Sequence, residues 1–361
     1  MKKNIRLLYI YRLCSNDYGP QQHVHALNKY CNIVFTISNL HKEGKNHFVR
    51  CNSSLFSIFY FQIYTSFLLL KYRKNYDIIL HRISCGDFLI GFVCYLIGKR
   101  YIPEYNGDLI QDLIDRKKNI YFQFIQSIFN HFNFFISYRL YLVDSNLFSL
   151  FPFGRSQIKT KSLIINNGFE PIDTININKN SHPNLFSNST INLGYLGSLA
   201  HREGLNSALQ LLQDFVGNLS LIIVGGSIKE YKELTSSLTS KVNIKHFSNR
   251  SRVDALSILR NCDFFLFLRE AKASSHCLSQ GSPLKLLDYF YLQKPVIFSE
   301  LPDHQKFIDM SLGIYLNDFI SYLNGNFQFQ FNSSQCISYT STRSWSYVLR
   351  KFNTFIESDN S

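Results

Sequence analysis

Residues 282–302 read SPLKLLDYFYLQKPVIFSELP. Ser282 is a strong helix N-cap, and Pro283 suits the first helical position, where no N–H is needed. The stretch predicts a helix over Ser282–Leu292, a strand at Pro295–Phe298 and a further helix over Pro302–Met310. A helix opened in this way presents unpaired N–H groups and a positive dipole end, which together attract an anion. Lys285 falls in that first turn, where the dipole disfavours a cation. The two fit together when a phosphate lies between them. Asp288 sits one turn further on, where a carboxylate can accept two ribose hydroxyls. The plain alternative is an ordinary capped helix with surface charges.

Upstream of this stretch the same alternation continues. Ile191–Leu196, Leu219–Val224, Val242–Phe247 and Asp263–Leu268 read as strands, with helices at Glu203–Val216, Ile228–Leu238 and Ser251–Arg260 between them. The first half repeats the pattern. Its strands are Arg6–Tyr11, Asn32–Ile37, Asp77–Arg82, Arg100–Tyr105, Leu140–Asp144 and Leu163–Ile165. Its helices are Gln21–Tyr30, Leu55–Tyr72, Asp87–Ile97 and Ile120–Ser137. Strands and helices in alternation, joined by short connections, predict parallel sheets covered on both faces. Residues 1–168 and 190–340 form two such units, joined by a linker at 169–189 that is rich in Asn, Ser and Pro. A last helix, 342–358, is expected to pack back on the first unit. Ligands of these sheets bind beyond the carboxyl ends of the strands.

Composition narrows the function. The 361 residues are 45% hydrophobic and 17% charged, which excludes a disordered chain. Eight cysteines are scattered without a C-x-x-C pair, as fits buried thiols in a reducing cytoplasm. Of the net +13, residues 1–170 carry +11, with 21 Lys and Arg against 10 Asp and Glu. Such a surface favours phosphates or anionic lipid. Leu55–Leu70 is about 16 residues long and contains polar positions, short of the roughly 20 a membrane span needs. It is expected to be a buried or interfacial helix, and the aromatics of Phe56–Phe67 are expected in the core. There is no D-x-D, no G-x-x-x-x-G-K-[ST], no G-x-G-x-x-G and no H-E-x-x-H. No metal site and no cofactor is therefore expected.

The stretch at 282–302 resembles the nucleotide-binding motif of retaining family 4 glycosyltransferases of the GT-B fold, S-P-x-K-x-x-E-Y-x-x-x-x-K-P-V-I-x-S-x-x-P. Gly194–Gly204 (GYLGSLAHREG), Leu221–Gly226 (LIIVGG), Cys262–Glu270 (CDFFLFLRE) and Asn166–Gly168 are similar to the same family's segments in the same order. So are His81-Arg82, Glu104–Gly107 (EYNG) and Gly19–Leu27. The resemblance implies an α/β GT-B architecture, two Rossmann-like doubly wound parallel-sheet domains facing across a cleft. It implies metal-free transfer of a sugar from a nucleotide diphosphate sugar, with retention, in cell-surface polysaccharide biosynthesis. The acceptor would be a glycan or a polyprenyl-linked glycan.

The resemblance also assigns residues. The donor nucleotide falls to Gly197, Ser198, Gly225, His246, Phe247, Ser282, Pro283, Leu284, Lys285 and Asp288. Lys285 and Arg202 meet the diphosphate, and the N–H groups of Gly197, Ser198 and Leu284 assist them. Glu270 faces the donor sugar. Glu104 and Asn106 lie near the acceptor, with Gly19, Pro20 and Arg82 on the same side. The chain departs from the family pattern in five places, one of them Asn106 where the first domain usually has a His. Asp288 replaces the usual Glu, Gln280 the first acid of E-x7-E, Ser198 an Arg and Glu203 a Lys. Two other readings stand beside this one. One is a UDP-sugar 2-epimerase of the same fold, and the other a non-catalytic scaffold. The basic first half and its apolar helices further predict a cytoplasmic protein, peripheral on an anionic membrane at the inner face of the plasma membrane, without nucleic acid.

Overall fold

The computed structural model describes residues 5–12, 18–31, 33–39, 46–49, 54–115, 118–151, 155–172, 190–199, 204–212, 215, 219–236, 243–248, 250–269 and 284–357. The chain divides into two compact units. One is built on Met1–Gly168 with Trp345–Ser361, the other on Phe169–Ser279 and Pro283–Ser344.

The first unit runs β1 (Leu7–Tyr11), α1 (Tyr18–Tyr30), β2 (Ile33–Ser38), β3 (Asn46–Phe48), α2 (Leu55–Lys71), β4 (Ile78–Arg82), α3 (Leu89–Leu96) and β5 (Arg100–Tyr105). It continues through α4 (Leu109–Asp115), α5 (Ile120–Ile136), β6 (Leu140–Leu142), a 3-10 turn at Ser145–Leu150, α6 (Arg155–Lys161) and β7 (Ser162–Ile164). Its seven strands are all parallel, in the order β3-β2-β1-β4-β5-β6-β7. Every residue of β1 is buried, as in a sheet covered on both faces.

The second unit runs β8 (Ile191–Leu196), α7 (Leu205–Leu212), β9 (Leu219–Val224), α8 (Ile228–Thr235), β10 (Asn243–Phe247), α9 (Arg252–Leu259) and β11 (Phe264–Phe267). Then come α10 (Leu284–Tyr291), β12 (Val296–Phe298), a 3-10 turn at Pro302–His304, α11 (Gln305–Asp309), β13 (Gly313–Tyr315), α12 (Leu316–Leu323) and α13 (Ser333–Ser341). The six strands are again parallel, in the order β10-β9-β8-β11-β12-β13. The last helix, α14 (Trp345–Glu357), contacts α1. In both sheets the order reverses direction beside the first strand, the arrangement of doubly wound α/β folds.

The expected strands of both halves form, with ends shifted by a residue or two. The three-residue strands β3 and β13 and the helices α4, α6, α12 and α13 had no counterpart in the sequence reading. One expectation is overturned. Of the aromatics in Phe56–Phe67, Phe61 is in the core, whereas Phe56, Phe59, Tyr60, Tyr64 and Phe67 are exposed. Among the described residues, no helix is long and apolar enough to cross a membrane.

Candidate functional site

Two glycine turns build the floor of the site in the second unit. β8 ends at Leu196, and Gly197 follows at φ 133°. Its N–H donates to the Val224 carbonyl at 3.0 Å. β9 ends at Val224, and Gly225 follows at φ 116°, its N–H donating to the Phe247 carbonyl at 2.9 Å. A Cβ on Gly225 would lie 2.4 Å from the Gly197 carbonyl oxygen. The two turns therefore touch backbone to backbone, and only glycine fits. Gly204 is equally close to the chain after β11: a Cβ there would lie 2.7 Å from the Arg269 carbonyl carbon.

Lys285, in the first turn of α10, reaches over this floor. Its Nζ lies 5.1 Å from the Tyr195 ring centre and 5.3 Å from that of Phe267. A Cβ at Gly197 would be 3.8 Å from Nζ, so the ammonium sits beside the Gly197 turn. Aromatic faces attract and stabilise a cation placed over them. The Tyr195 hydroxyl donates to the Ser198 carbonyl, which fixes that ring. Tyr289, one turn along α10, accepts the Leu196 N–H at 2.8 Å and stacks on Phe265 at 4.3 Å. These contacts hold α10 against the ends of β8 and β11.

Arg269 is a cation that sequence reasoning passed over. Its guanidinium lies 5.3 Å from the centre of the same Phe267 ring that Lys285 approaches. Its backbone is clamped to Ser299, which accepts the Arg269 N–H at 2.7 Å and donates to its carbonyl at 3.0 Å. The available signal was its position directly after a buried strand, where Glu270 drew the attention instead.

Asp288 is buried, and its Oδ1 accepts Nε of Arg252 at 2.9 Å and a second guanidinium nitrogen at 2.5 Å. Arg252 also donates to the Glu170 carbonyl at 2.6 Å. Burial pushes the Asp288 carboxyl up by more than Arg252 pulls it down. Arg252 is thus a second residue that sequence reading missed. His246 donates from Nε2 to the Gly225 carbonyl at 2.8 Å, and its ring stacks on Tyr231 at 4.4 Å. Phe247, the last residue of β10, lies under the Arg250 guanidinium at 5.8 Å.

The structure therefore gathers Gly197, Ser198, Gly225, His246, Phe247, Leu284, Lys285 and Asp288 at the carboxyl ends of β8–β11 and the start of α10. Two details differ from expectation. The Gly197 N–H is already engaged by Val224, so it cannot serve a diphosphate. Asp288 has one oxygen committed to Arg252, so it cannot offer both oxygens to a ribose. Arg202, Glu270, Ser282 and Pro283 lie outside the described residues.

In the first unit, Glu104 is fully buried. It accepts the Tyr9 hydroxyl at 3.0 Å and the Asn106 amide at 3.2 Å, with His23 Nδ1 at 3.3 Å and an Arg82 nitrogen at 3.5 Å. Burial pushes its carboxyl up, but His23, Arg82 and Tyr9 outweigh this and hold it below the usual range. Glu104 was expected beside the acceptor. At zero exposure it touches none, and it holds Arg82 and Asn106 in place. Gly19 and Pro20 lie in the first turn of α1 and not in a loop ahead of it. A second buried group joins Asp87 to Arg12 at 3.2 Å and to His81 at 3.5 Å. Among the described residues no cluster could hold a metal ion.

Residues 176–310 match the family model described as "Glycosyl transferases group 1". Over those residues, which hold most of the second unit's sheet, the chain is similar to group 1 glycosyltransferases. Solved structures agree on the fold. Anabaena HepE, in complex with UDP-glucose, is 10% identical with a TM-score of 0.70, covering 98% of this chain and 100% of that one. A glycosyltransferase from Rickettsia africae is 15% identical with a TM-score of 0.65, covering 99% and 98%. A putative UDP-N-acetylglucosamine 2-epimerase from Listeria monocytogenes is 11% identical with a TM-score of 0.60, covering 99% and 97%. No curated protein sequence matches the chain. The chain has the GT-B fold of these structures, with one parallel sheet in each unit.

Proposed function

We propose that this glycosyltransferase moves a sugar from a UDP-sugar to a glycan or lipid-linked acceptor, with retention, in the building of a cell-surface polysaccharide. The observation that carries the reading is Lys285, held by two aromatic faces beside the Gly197 turn at the start of a helix. Breaking the donor's glycosidic bond leaves negative charge on the departing diphosphate. Preorganised cations and N–H donors stabilise that charge most as it develops. Lys285 and Arg269 supply the cations. The Ser198 N–H and the opening N–H groups of α10 supply the donors. Asp288 offers its second oxygen to the ribose, and Arg252 keeps the first one fixed. Arg82 and Asn106, set by Glu104, serve the acceptor. The UDP-glucose held by Anabaena HepE supports uridine as the base.

The basic first unit adds a peripheral contact with an anionic membrane at its inner face, which suits a lipid-linked acceptor. The test is nucleotide release from a panel of UDP-sugars with and without acceptor. Lys285→Met should lower turnover about 100-fold or more, the usual loss of one such donor, with thermal unfolding unchanged. Unaltered kinetics in that variant would remove Lys285 from the diphosphate. Conversion of the sugar nucleotide to its 2-epimer without release of UDP would favour the epimerase instead.

A further inference from the structure

Helices α2, α3 and α5 of the first unit lie side by side, with α3 touching both of the others. Two of them bury polar side chains while exposing apolar ones, α2 alongside buried Phe61, Leu68 and Leu69 and α5 with polar residues alone. The buried face of α2 includes Gln62, Thr65 and Ser66, and the buried residues of α5 are Gln126, Asn130 and Asn133. A helix on a water-soluble domain turns its apolar stripe inward. Here aromatic and aliphatic side chains face outward along the whole length, among them Phe56, Ile63 and Phe67 on α2, and Ile120, Phe124 and Ile128 on α5. Of the 26 exposed large hydrophobic residues among those described, eighteen sit on these three helices. Monomeric soluble proteins rarely expose a patch of that extent without a partner.

The inward polar groups fix the rotation of the helices. Gln62 accepts the N–H groups of Phe88 and Leu89, each at 3.0 Å, and donates to the Gly86 carbonyl at 3.0 Å. Gln126 accepts the Gly86 N–H at 2.8 Å, and Asn133 donates to the Asp87 carbonyl at 2.8 Å. Both helices thus grip the loop before α3 by its backbone. Turning either one to bury its apolar side would strand those groups.

Charge identifies what covers the face. No Asp or Glu occurs in α2, α3 or α5. Lys71, Arg73 and Lys74 gather at the end of α2, and Lys118 precedes α5. A second copy docking through these three helices would bring the same cations and no acid from the helices themselves to meet them. A bilayer offers both hydrocarbon and anionic headgroups.

We infer that the α2–α3–α5 layer lies flat in the bilayer interface with its aromatic and aliphatic side chains inserted among the acyl chains, so that insertion, not charge, holds the protein to the membrane. This rests on the membrane contact proposed above and specifies how it is made. Interfacial helices of this kind bind through buried apolar area with electrostatic attraction added.

The test is flotation of the full chain with phosphatidylcholine vesicles and with phosphatidylcholine–phosphatidylglycerol vesicles, at low salt and at about 1 M salt, where the Debye length is about 3 Å. A Phe59→Trp variant with brominated lipids reads depth, since the one native tryptophan, Trp345, is buried. The expected result is binding to anionic vesicles that survives high salt, weaker binding to neutral ones, and quenching of the new tryptophan. The variant Phe56→Ser/Ile63→Ser should lose at least about tenfold in vesicle affinity while keeping its unfolding temperature and its UDP binding. Binding abolished by salt, without quenching, would leave electrostatic docking standing and overturn insertion. No binding to either vesicle would overturn both. Loss of a dimer in the double-serine variant would overturn the bilayer as the occupant.

Discussion

The contact between the two glycine turns gives a sharp test of the site. In Gly225→Ala the new methyl would have to retreat from 2.4 Å to at least 3.0 Å from the Gly197 carbonyl oxygen, and what it meets is backbone. The residue would also keep a φ of 116°, which side chains other than glycine's resist. Gly325→Ala is the control. It sits in the same unit at φ 76°, with nothing within 4 Å of the added methyl. The control should lose about 1–2 kcal/mol from its backbone conformation alone. Gly225→Ala should lose that and a further 1–3 kcal/mol from overpacking, about 3 kcal/mol in total. The relief it finds is a shift of the Gly197 turn, which moves the place where Lys285 sits. UDP affinity should therefore fall at least about tenfold, or 1.4 kcal/mol. Urea unfolding followed by far-ultraviolet circular dichroism measures the first effect, and UDP-induced thermal shift the second. If Gly225→Ala matched Gly325→Ala in both, the two turns would not be coupled and this account of the site would fail.

Arg252→Met should destabilise the second unit by about 3–5 kcal/mol, because it leaves Asp288 buried without its cation. Adding Asp288→Asn should restore much of that loss in a urea double-mutant cycle, and strictly additive losses would refute the pairing. Glu104 is held below its ordinary value, so its contribution is full above about pH 4.3 and disappears as pH falls through the lowered folded value. Asp87 is lowered too: burial pushes it up, but Arg12 and His81 outweigh that, so it adds to the same acid limb. Trp345 stacks on His23 at 4.6 Å, and its fluorescence reports on this unit. Glu104→Gln should be less stable near neutrality and lose less on acidification below about pH 4. An unchanged acid limb would show that Glu104 carries none of it.

The sequence by itself determined the class of fold and the end of the sheet where chemistry sits. Runs such as Leu219–Val224 read as strands buried on both faces, because six residues closed by a glycine turn are too short for an ordinary buried helix. Lys285 was legible because a cation at a helix start contradicts local preference, and Asp288 because it lies one turn further along the same helix; Gly197 and Gly225 were legible through the family resemblance. Three-residue strands such as β3 and β13 were not legible, since period-two alternation needs a longer run to register. Pairings across long stretches of chain were invisible for another reason. Arg252 and Asp288 stand 36 positions apart, and nothing in either one's neighbourhood names the other. The same holds for Glu104, whose surroundings come from β1, α1 and β4. Only packing showed that it is sealed away. Hydrophobic content marked α2 and α5 as helices, but not which side they bury. That depended on the loop before α3, whose unpaired backbone groups draw Gln62, Gln126 and Asn133 inward and turn the aromatic side out.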